Sequence, residues 1–170
     1  YLKLVENTLK DSKGYGRKNL ARNPRLYERL KVATRMLITD IDGTLISETG
    51  DYTGLEELKE ILRQRDNKFV FGIASGRSLA KVKDILTRFE IPTPDVVICS
   101  VGTYIYYGLD AEFMDKGWLK HINYGWDAEA IRQRMEKLEG IEPQDPVDQN
   151  PFKVSYFVHD KSLTVEAVSA

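Results

Sequence analysis

The chain has 170 residues, of which 42% are apolar and 30% charged, as is ordinary for one globular domain with a buried core. A formal net charge of −1 gives no electrostatic reason to expect nucleic acid or an anionic membrane as a partner, and no apolar run approaches the length that crosses a bilayer. A single cysteine, Cys99, leaves no partner for a disulfide within the chain, which favours the reducing cytoplasm as its location.

The first 34 residues precede the first strong strand pattern. Apolar residues within 1–10 fall at helical spacing and predict a short amphipathic helix, while 11–24 is basic, polar and glycine-containing, as is typical of a linker. Residues 25–33 fit a second short helix. We therefore assign 1–34 to an N-terminal helix and linker, and we interpret Tyr1, in place of Met, as the mark of a fragment or a processed chain.

Three compact apolar runs then alternate with two helical patterns. The runs are Met36–Asp40, Lys68–Ala74 and Asp95–Ser100, and each predicts a strand of a parallel sheet, the first of them buried on both faces. Strands that alternate with helices imply right-handed crossovers. Residues 35–110 are thus predicted to form an α/β core, a doubly wound parallel sheet.

The two intervening helices show their expected inner faces in the sequence. Thr53 is a candidate N-cap of the first helix, with Glu56 as its capping-box partner. The predicted inner face of this helix comprises Leu55, Leu58, Ile61 and Leu62. In the second helix, over 78–90, it comprises Leu79, Val82, Ile85, Leu86 and Phe89.

After Ser100 the alternation of strands and helices stops. Thr103–Tyr107 predicts a hairpin or edge strand, and Asp127 can cap a helix that carries Ile131, Met135 and Leu138. A turn-rich stretch follows, and 152–159 alternates as a half-buried antiparallel strand does. Residues 111–170 are therefore predicted to form a separate α+β segment.

The strongest chemical signal is the run Asp40-Ile41-Asp42-Gly43-Thr44 at the end of the first predicted strand. Ligands of open α/β sheets bind at the carboxyl ends of the strands. Two carboxylates that are two residues apart can point to the same side of the chain, and their repulsion calls for a shared proton or a cation, for which Mg²⁺ is the natural choice. One carboxylate could then attack phosphorus while the other transfers protons.

The run Ser75-Gly76-Arg77 lies at the end of the second strand and just before a helix. A hydroxyl, a glycine amide and the amides of a helix N-terminus can together bind phosphate oxygens, and Arg77 could add a charged fork. Taken alone, the serine is most simply explained as a helix N-cap. Together with the paired carboxylates, the run predicts a phosphate site.

These two runs resemble the first and second motifs of the haloacid dehalogenase superfamily. The resemblance implies that Asp40 is the nucleophile, Asp42 the general acid/base, and that both help to hold Mg²⁺. It also implies phosphate-binding roles for Thr44 and Ser75, together with Gly76 and Arg77. One subgroup of the superfamily inserts a large α/β cap after the third strand, and this cap would correspond to 111–170.

Within the superfamily, the stretch from Asp148 to Tyr156 is similar to the cap of sucrose-phosphate phosphatases. The loop around Gly102 resembles their loop after strand three. This resemblance implies sugar-binding roles for Gly102, Gln149, Asn150 and Lys153, although a surface turn is the simpler explanation of the Gln149-Asn150 pair. Residues 1–34 resemble the tail of a glycosyltransferase, an arrangement similar to sucrose-phosphate synthases with a phosphatase-like domain attached in cis.

Two motifs that follow the cap in that superfamily, a lysine and an acidic loop, are not found within these residues. We therefore expect the chain to hold the front half of a larger domain. An incomplete sheet would leave an open strand edge, so a homodimer or a swapped arrangement is a hypothesis.

Three functional classes compete. The first is a Mg²⁺-dependent phosphatase that acts on a sugar phosphate, with sucrose 6-phosphate as the expected substrate. The second is a non-catalytic module that binds a phosphosugar or supports a glycosyltransferase. A signalling receiver domain is disfavoured, because its phosphorylated aspartate lies on the third strand, which here ends in Ile98-Cys99-Ser100.

Overall fold

The structure is a computed structural model and describes residues 24–66 and 68–159. The predicted helix over 1–10 and the linker before Pro24 lie outside these residues. By their contacts, the residues form two compact units, which meet in sequence between His121 and Ile122. The predicted boundary at 110/111 stays a prediction.

The first unit is an α/β structure, which confirms the predicted fold class. Its helices are α1 (Pro24–Val32), α2 (Thr53–Arg63), α3 (Leu79–Arg88) and α4 (Lys116–Ile122), the last of which extends one residue past the boundary. Its strands are β1 (Arg35–Thr39), β2 (Phe69–Ala74), β3 (Val96–Cys99) and β4 (Tyr104–Tyr107). A short 3₁₀ turn covers Ala111–Phe113.

The four strands form one mixed sheet in the order β1-β2-β3-β4. The first three are parallel, and β4 returns antiparallel to β3, as predicted for an edge strand. Thr39 lies opposite Ile73, and Ala74 lies opposite Ile98. The carboxyl ends of the three parallel strands are therefore neighbours, and so are the loops that leave them.

The core of this unit lies between the sheet and its helices. Phe71 and Ile73 of β2 are fully buried, as are Val82 of α3 and Val97 of β3. Leu55 and Leu62 of α2 and Ile85 and Leu86 of α3 join the same apolar cluster. Because strand order follows chain order, right-handed crossovers place α2 and α3 on one face of the sheet.

Strand β1 differs from its prediction, because it is not buried on both faces. Met36 is 56% exposed and Ile38 is 40% exposed. The physical reason is position: within the described part of the chain β1 pairs only with β2, and α2 and α3 cover only one face. An apolar run reports that a segment can be buried, but not how many neighbours bury it.

Helix α2 also departs from its prediction in two details. Ile61 is 60% exposed, so it does not belong to the inner face. Thr53 does not cap the helix through its own oxygen, because its amide and hydroxyl both donate to Asp51 Oδ1, at 3.0 and 2.8 Å. The carboxylate of Asp51 thus accepts the bonds at the start of the helix.

The second unit contains α5 (Ala128–Met135), β5 (Ile141–Pro143), a 3₁₀ turn over Pro146–Asp148 and β6 (Tyr156–Val158). Asp127 caps α5, as predicted, by accepting a 2.9 Å bond from the amide of Ala130. The predicted antiparallel strand is confirmed in shorter form, since β6 pairs with β5. None of the helices that the structure describes is long and apolar enough to span a membrane.

Candidate active site

Three loops leave the carboxyl ends of β1, β2 and β3, and the main candidates from the sequence lie on them. The first loop carries Asp40, Asp42 and Thr44. The second carries Ser75, Gly76 and Arg77, and the third carries Gly102. Strand pairing and the contacts below bring the three loops together.

The two aspartates lie on either side of a buried isoleucine. Ile41 is fully buried in the core, while Asp40 and Asp42 on either side of it are exposed. Alternation along an extended chain turns neighbours to opposite sides, so the burial of Ile41 turns both carboxylates toward solvent. Asp40 Oδ1 accepts a 2.7 Å bond from the amide of Ile41, which restrains the carboxylate.

A tight turn follows Asp42. Gly43 has a φ of +71°, a conformation that residues with a Cβ seldom adopt. Its amide donates to the carbonyl of Ile46 at 3.0 Å, and the amide of Ile46 donates to the carbonyl of Ile41 at 2.8 Å. These bonds fix the direction of the chain beyond Asp42 and leave Thr44 exposed on the turn.

The second loop is held by its own polar groups. Ser75 is buried, its amide donates to the carbonyl of Ile98 at 2.9 Å, and its hydroxyl accepts a 3.2 Å bond from the amide of Arg77. Gly76 is exposed beside it. Ser78, at the N-cap of α3, has a buried hydroxyl with no hydrogen-bond partner among the described residues.

A forked ion pair joins the first two loops. Arg77 donates from Nε to Asp42 Oδ2 at 2.8 Å and from Nη2 to Asp42 Oδ1 at 2.6 Å. The hydrogen bonds from Arg77 hold the pKa of Asp42 below its usual value, partial burial opposes this, and the charge of Arg77 lowers the pKa further. Asp42 is therefore an ionised carboxylate in this arrangement.

The third loop is strained. Ser100, Val101 and Gly102 all have positive φ, of 52°, 61° and 82°, and only the last is a glycine. Such backbone is rare outside glycine and is concentrated at functional sites. The amide of Ser100 donates to the carbonyl of Arg77 at 2.7 Å, and that of Val101 to the carbonyl of Ser75 at 3.4 Å.

The sequence did not single out Ser100 and Val101. A serine and a valine carry no sign of left-handed backbone, so only the neighbouring Gly102 gave a signal. Gly102 itself is fixed from outside the loop, because its carbonyl accepts a 2.8 Å bond from Trp118 Nε1 of α4.

The remaining candidates, Gln149, Asn150 and Lys153, lie in the second unit. The side-chain amide of Gln149 is bound to its own unit: Nε2 donates to the carbonyls of Gln144 and Ser155, and Oε1 accepts from the amide of Ser155. Asn150 Oδ1 accepts from the amide of Phe152, and the backbones of Asn150 and Lys153 bond to each other. Sugar binding by these residues stays a prediction.

A divalent cation fits the first loop only as a site with few protein ligands. The described part of the chain contains no group of three or more acidic, histidine or cysteine side chains placed to hold a metal. Asp40 offers exposed carboxylate oxygen, whereas both oxygens of Asp42 are bound by Arg77. Hard oxygen donors in small number match Mg²⁺, which retains waters and takes ligands from a phosphate substrate.

Comparison with known proteins agrees with this geometry. The sequence model of the sucrose-6F-phosphate phosphohydrolase family matches residues 33–169. Sucrose-phosphatase 2 of Nicotiana tabacum is 31% identical over 148 residues, which cover 81% of this chain and 33% of that protein. Mannosylfructose-phosphate phosphatase of Agrobacterium fabrum is 27% identical over 126 residues, covering 74% of this chain and 50% of that protein.

A solved structure is similar as well. The X-ray structure of the sucrose-phosphatase from Synechocystis sp. PCC6803, in complex with sucrose and phosphate, matches with a TM-score of 0.67 and 29% identity. The match covers 76% of this chain and 50% of that one, so the chain spans a third to a half of the length of these relatives. The family match extends over most of the chain and includes all three loops, and the chain therefore belongs to the sucrose-6F-phosphate phosphohydrolase family, within the haloacid dehalogenase superfamily.

Proposed function

We propose that this chain supplies the nucleophile and the phosphate-binding loops of a Mg²⁺-dependent phosphatase that converts sucrose 6-phosphate to sucrose. One observation carries the proposal: Asp40 and Asp42 flank the buried Ile41 at the end of β1, and Arg77 bridges from the second loop to Asp42. A nucleophile, an acid/base and a phosphate-binding loop thus belong to one connected group of loops.

The chemistry would proceed in two displacements. A carboxylate oxygen of Asp40 attacks phosphorus, the bond from phosphorus to the sugar oxygen breaks, and a proton from Asp42 passes to that oxygen. Water then attacks the aspartyl-phosphate, Asp42 accepts a proton from the water, and the bond from phosphorus to Asp40 breaks. Aspartate and free enzyme are restored, and phosphate leaves.

The ion pair between Arg77 and Asp42 has a consequence for this scheme. While Arg77 binds both oxygens, Asp42 stays ionised and can act as a base but not as an acid. A substrate phosphate is a strong competing partner for a guanidinium fork. Binding of the phosphate by Arg77 would free Asp42 to take up the proton that the first displacement requires.

Phosphate contacts are proposed for Thr44 on the first loop and for Ser75, Gly76 and Arg77 on the second. The carboxylate of Asp40, together with an oxygen of Asp42, would hold Mg²⁺. A bound cation would neutralise charge on the phosphoryl group, which would allow two neighbouring carboxylates and an anionic substrate to share one site.

The identity of the sugar is supported by the relatives, whose names specify sucrose phosphate and mannosylfructose phosphate. Gly102, Gln149, Asn150 and Lys153 are proposed to bind the sugar. The domain boundaries at 34 and 110, a glycosyltransferase domain in cis as in sucrose-phosphate synthases, cytoplasmic location and a homo-oligomer are parts of the same proposal.

The alternative is a non-catalytic module that binds a phosphosugar or supports a glycosyltransferase. One observation favours it: the described residues supply few ligands for a metal. The retained pair Asp40 and Asp42 favours the enzyme.

The test is phosphate release from sucrose 6-phosphate with and without Mg²⁺. It compares this chain with the protein encoded by the full coding sequence. Each of the two proteins is assayed unaltered, as the Asp40→Asn variant and as the Asp66→Asn variant. Asp66 is an exposed aspartate that precedes β2, at the opposite end of the sheet, and serves as the matched control. We expect Asp40→Asn to lower turnover by at least about a thousandfold, since no nucleophile remains, and Asp66→Asn to leave it unchanged.

Turnover that survives Asp40→Asn would contradict the nucleophile assignment. If neither length releases phosphate yet both bind sucrose 6-phosphate in calorimetry, the module is the correct function. Release by the longer protein alone would assign catalysis to the complete domain, with this chain as its nucleophile-bearing part.

A further inference from the structure

A cavity of about 420 Å³ lies at the end of the sheet opposite the candidate active site. Arg65 precedes β2, Asp95 precedes β3, and Leu109 follows the antiparallel β4, so the lining belongs to the end at which the parallel strands begin. A five-residue strand spans about 17 Å. The cavity and the loops that carry Asp40 and Ser75 are therefore separated by the length of the sheet.

The cavity lining contains two arginines and two aspartates, and only one of the aspartates, Asp95, is buried. Arg29 of α1 and Arg65 converge on one carboxylate, Asp95, whose side chain is 7% exposed. Arg29 Nη1 lies 2.6 Å from Asp95 Oδ1, whereas Arg65 Nη2 lies 3.6 Å from Oδ2. The only other acidic group of the described lining is Asp110, which is exposed and accepts a bond from the amide of Glu112.

The acceptors within the cluster do not satisfy its donors. Asp95 Oδ2 already accepts from the amide of Phe71 at 3.0 Å, and Arg65 Nη2 donates to the carbonyl of Thr93. Arg29 Nε and Arg65 Nη1 are buried with no hydrogen-bond partner among the described residues. Buried guanidinium donors normally have acceptors, so both guanidinium groups are incompletely bonded within the cluster, while other atoms of Arg29 and Arg65 line the cavity.

The charges of the two arginines also favour an anionic ligand. Burial lowers the pKa of Arg65, Asp95 opposes this, and the neighbouring Arg29 lowers the pKa further. The Arg65 side chain is 11% exposed. An added anion would reduce the repulsion between the two guanidinium groups.

The rest of the cavity suits a small organic body. Leu26, Leu109 and Phe113 contribute apolar surface beside the charged cluster. Small-molecule sites have volumes of about 300–1,000 Å³, and their walls are mostly apolar with a few polar groups that orient the ligand. The volume of this cavity falls within that range, and its lining is divided about evenly between apolar and polar surface.

We propose that this cavity binds a small organic oxyanion, a carboxylate or phosphate group on a compact apolar body, through Arg29 and Arg65. Because Arg29 lies on α1 while Arg65 and Asp95 lie at the start of the sheet strands, the ligand would strengthen the attachment of α1 to the sheet. This site is independent of the proposed phosphatase activity, since it shares no residue with it.

The test is a titration of the ¹⁵N-labelled chain with benzoate and, separately, with phenyl phosphate, followed by the backbone amides of Gly108 and Leu109. We expect saturable shifts of these amides with both probes. The head group that saturates at the lower concentration identifies the preferred anion. Gly76 reports separately on phosphate binding at the candidate active site, so the two sites succeed or fail independently of each other.

Arg65→Gln should weaken the binding at Gly108 by about tenfold or more, because it removes a charge-assisted bond. Arg63→Gln, which alters an exposed arginine at the end of α2 two residues before Arg65, should leave the binding at Gly108 unchanged. Arg29→Gln offers a second test should Arg65→Gln fail to fold. Absence of saturable shifts at Gly108 in the unaltered chain, or equal shifts in the folded Arg variants, would overturn the proposal.

Discussion

The two units of this molecule are stabilised in different ways. In the first unit, an apolar cluster between the sheet and its helices buries side chains such as Phe71 and Val97 completely. In the second, none of the residues described between Ile122 and His159 is buried. Its strands β5 and β6 have three residues each, and an isolated two-stranded ribbon is marginally stable in water.

The second unit relies on local hydrogen bonds instead. Gln149 bonds the backbone of Gln144 and Ser155, and Trp126 Nε1 donates to the carbonyl of Pro151 at 2.8 Å. This difference indicates which unit can hold a catalytic group in a fixed position and which unit is expected to move. The proposed nucleophile lies on the packed unit, while the proposed sugar-binding residues lie on the weakly packed one, and parts that open and close are usually of low local stability.

The largest test of this comparison is Phe71→Ala against Phe157→Ala. Phe71 is fully buried, so its truncation should lower the free energy of unfolding by about 3–5 kcal/mol. Phe157 is half exposed in β6, and its truncation should cost less than about 1 kcal/mol. Urea unfolding followed by circular dichroism measures both. Equal losses would mean that the two units share one core.

The reactivity of a thiol gives a second test. Cys99 is fully buried, and burial raises its pKa to about 11, against a weaker lowering by a hydrogen bond with Ser100. Near pH 8 its thiolate population should be about a hundredfold smaller than that of an exposed thiol with the ordinary pKa of 9.0. A disulfide reagent should therefore modify Cys99 only as fast as the first unit opens. A cysteine introduced as Val158→Cys, at an exposed position of β6, should react at once. Rapid modification of both thiols would show that Cys99 is not protected by the packing of the first unit.

Gln149→Ala tests the hydrogen bonds of the second unit. The change removes three bonds from a part-buried amide and should cost about 1–3 kcal/mol. Hydrogen exchange should speed up at the amides of β5 and β6 and stay unchanged in β2. Gln133→Ala is the matched control, since among the described residues the Gln133 side chain makes one exposed bond, to Glu129 at 3.3 Å. Faster exchange throughout both units would show that they unfold together.

The smallest expected effect concerns the ion pair between the first two loops. Because Arg77 lowers the pKa of Asp42, the pair stabilises the fold at pH values above the ordinary pKa of 3.8 and loses this contribution as the pH falls below it. Asp42 is more than half exposed, so the contribution should be under about 1 kcal/mol. Urea midpoints of the chain and of Asp42→Asn should differ at pH 7, and the difference should shrink as the pH falls from 3.8 through the lowered pKa of Asp42. A difference that stays constant over this acid range would mean that Asp42 acts through something other than its charge.

Much of the first unit was accessible from the sequence. The apolar runs placed β1, β2 and β3 within one or two residues, because a strand in a packed sheet must be apolar over its length. The same reasoning failed at Met36 and Ile38, since burial depends on which elements lie beside a strand. It also missed the role of Asp51 at the start of α2, because several polar residues near a helix start can accept the same bonds.

The sequence alone determined the chemistry: which carboxylates, hydroxyl and guanidinium groups exist, and that they follow the carboxyl ends of consecutive strands. It could do so because strand periodicity and the Asp-x-Asp-Gly-Thr run are local properties. Only the tertiary structure decided that Arg77 binds Asp42, that Ser100 and Val101 adopt left-handed backbone, and that Arg29, Arg65 and Asp95 converge at the far end of the sheet. These features arise between segments far apart in the chain, where the contacts depend on strand order and helix packing.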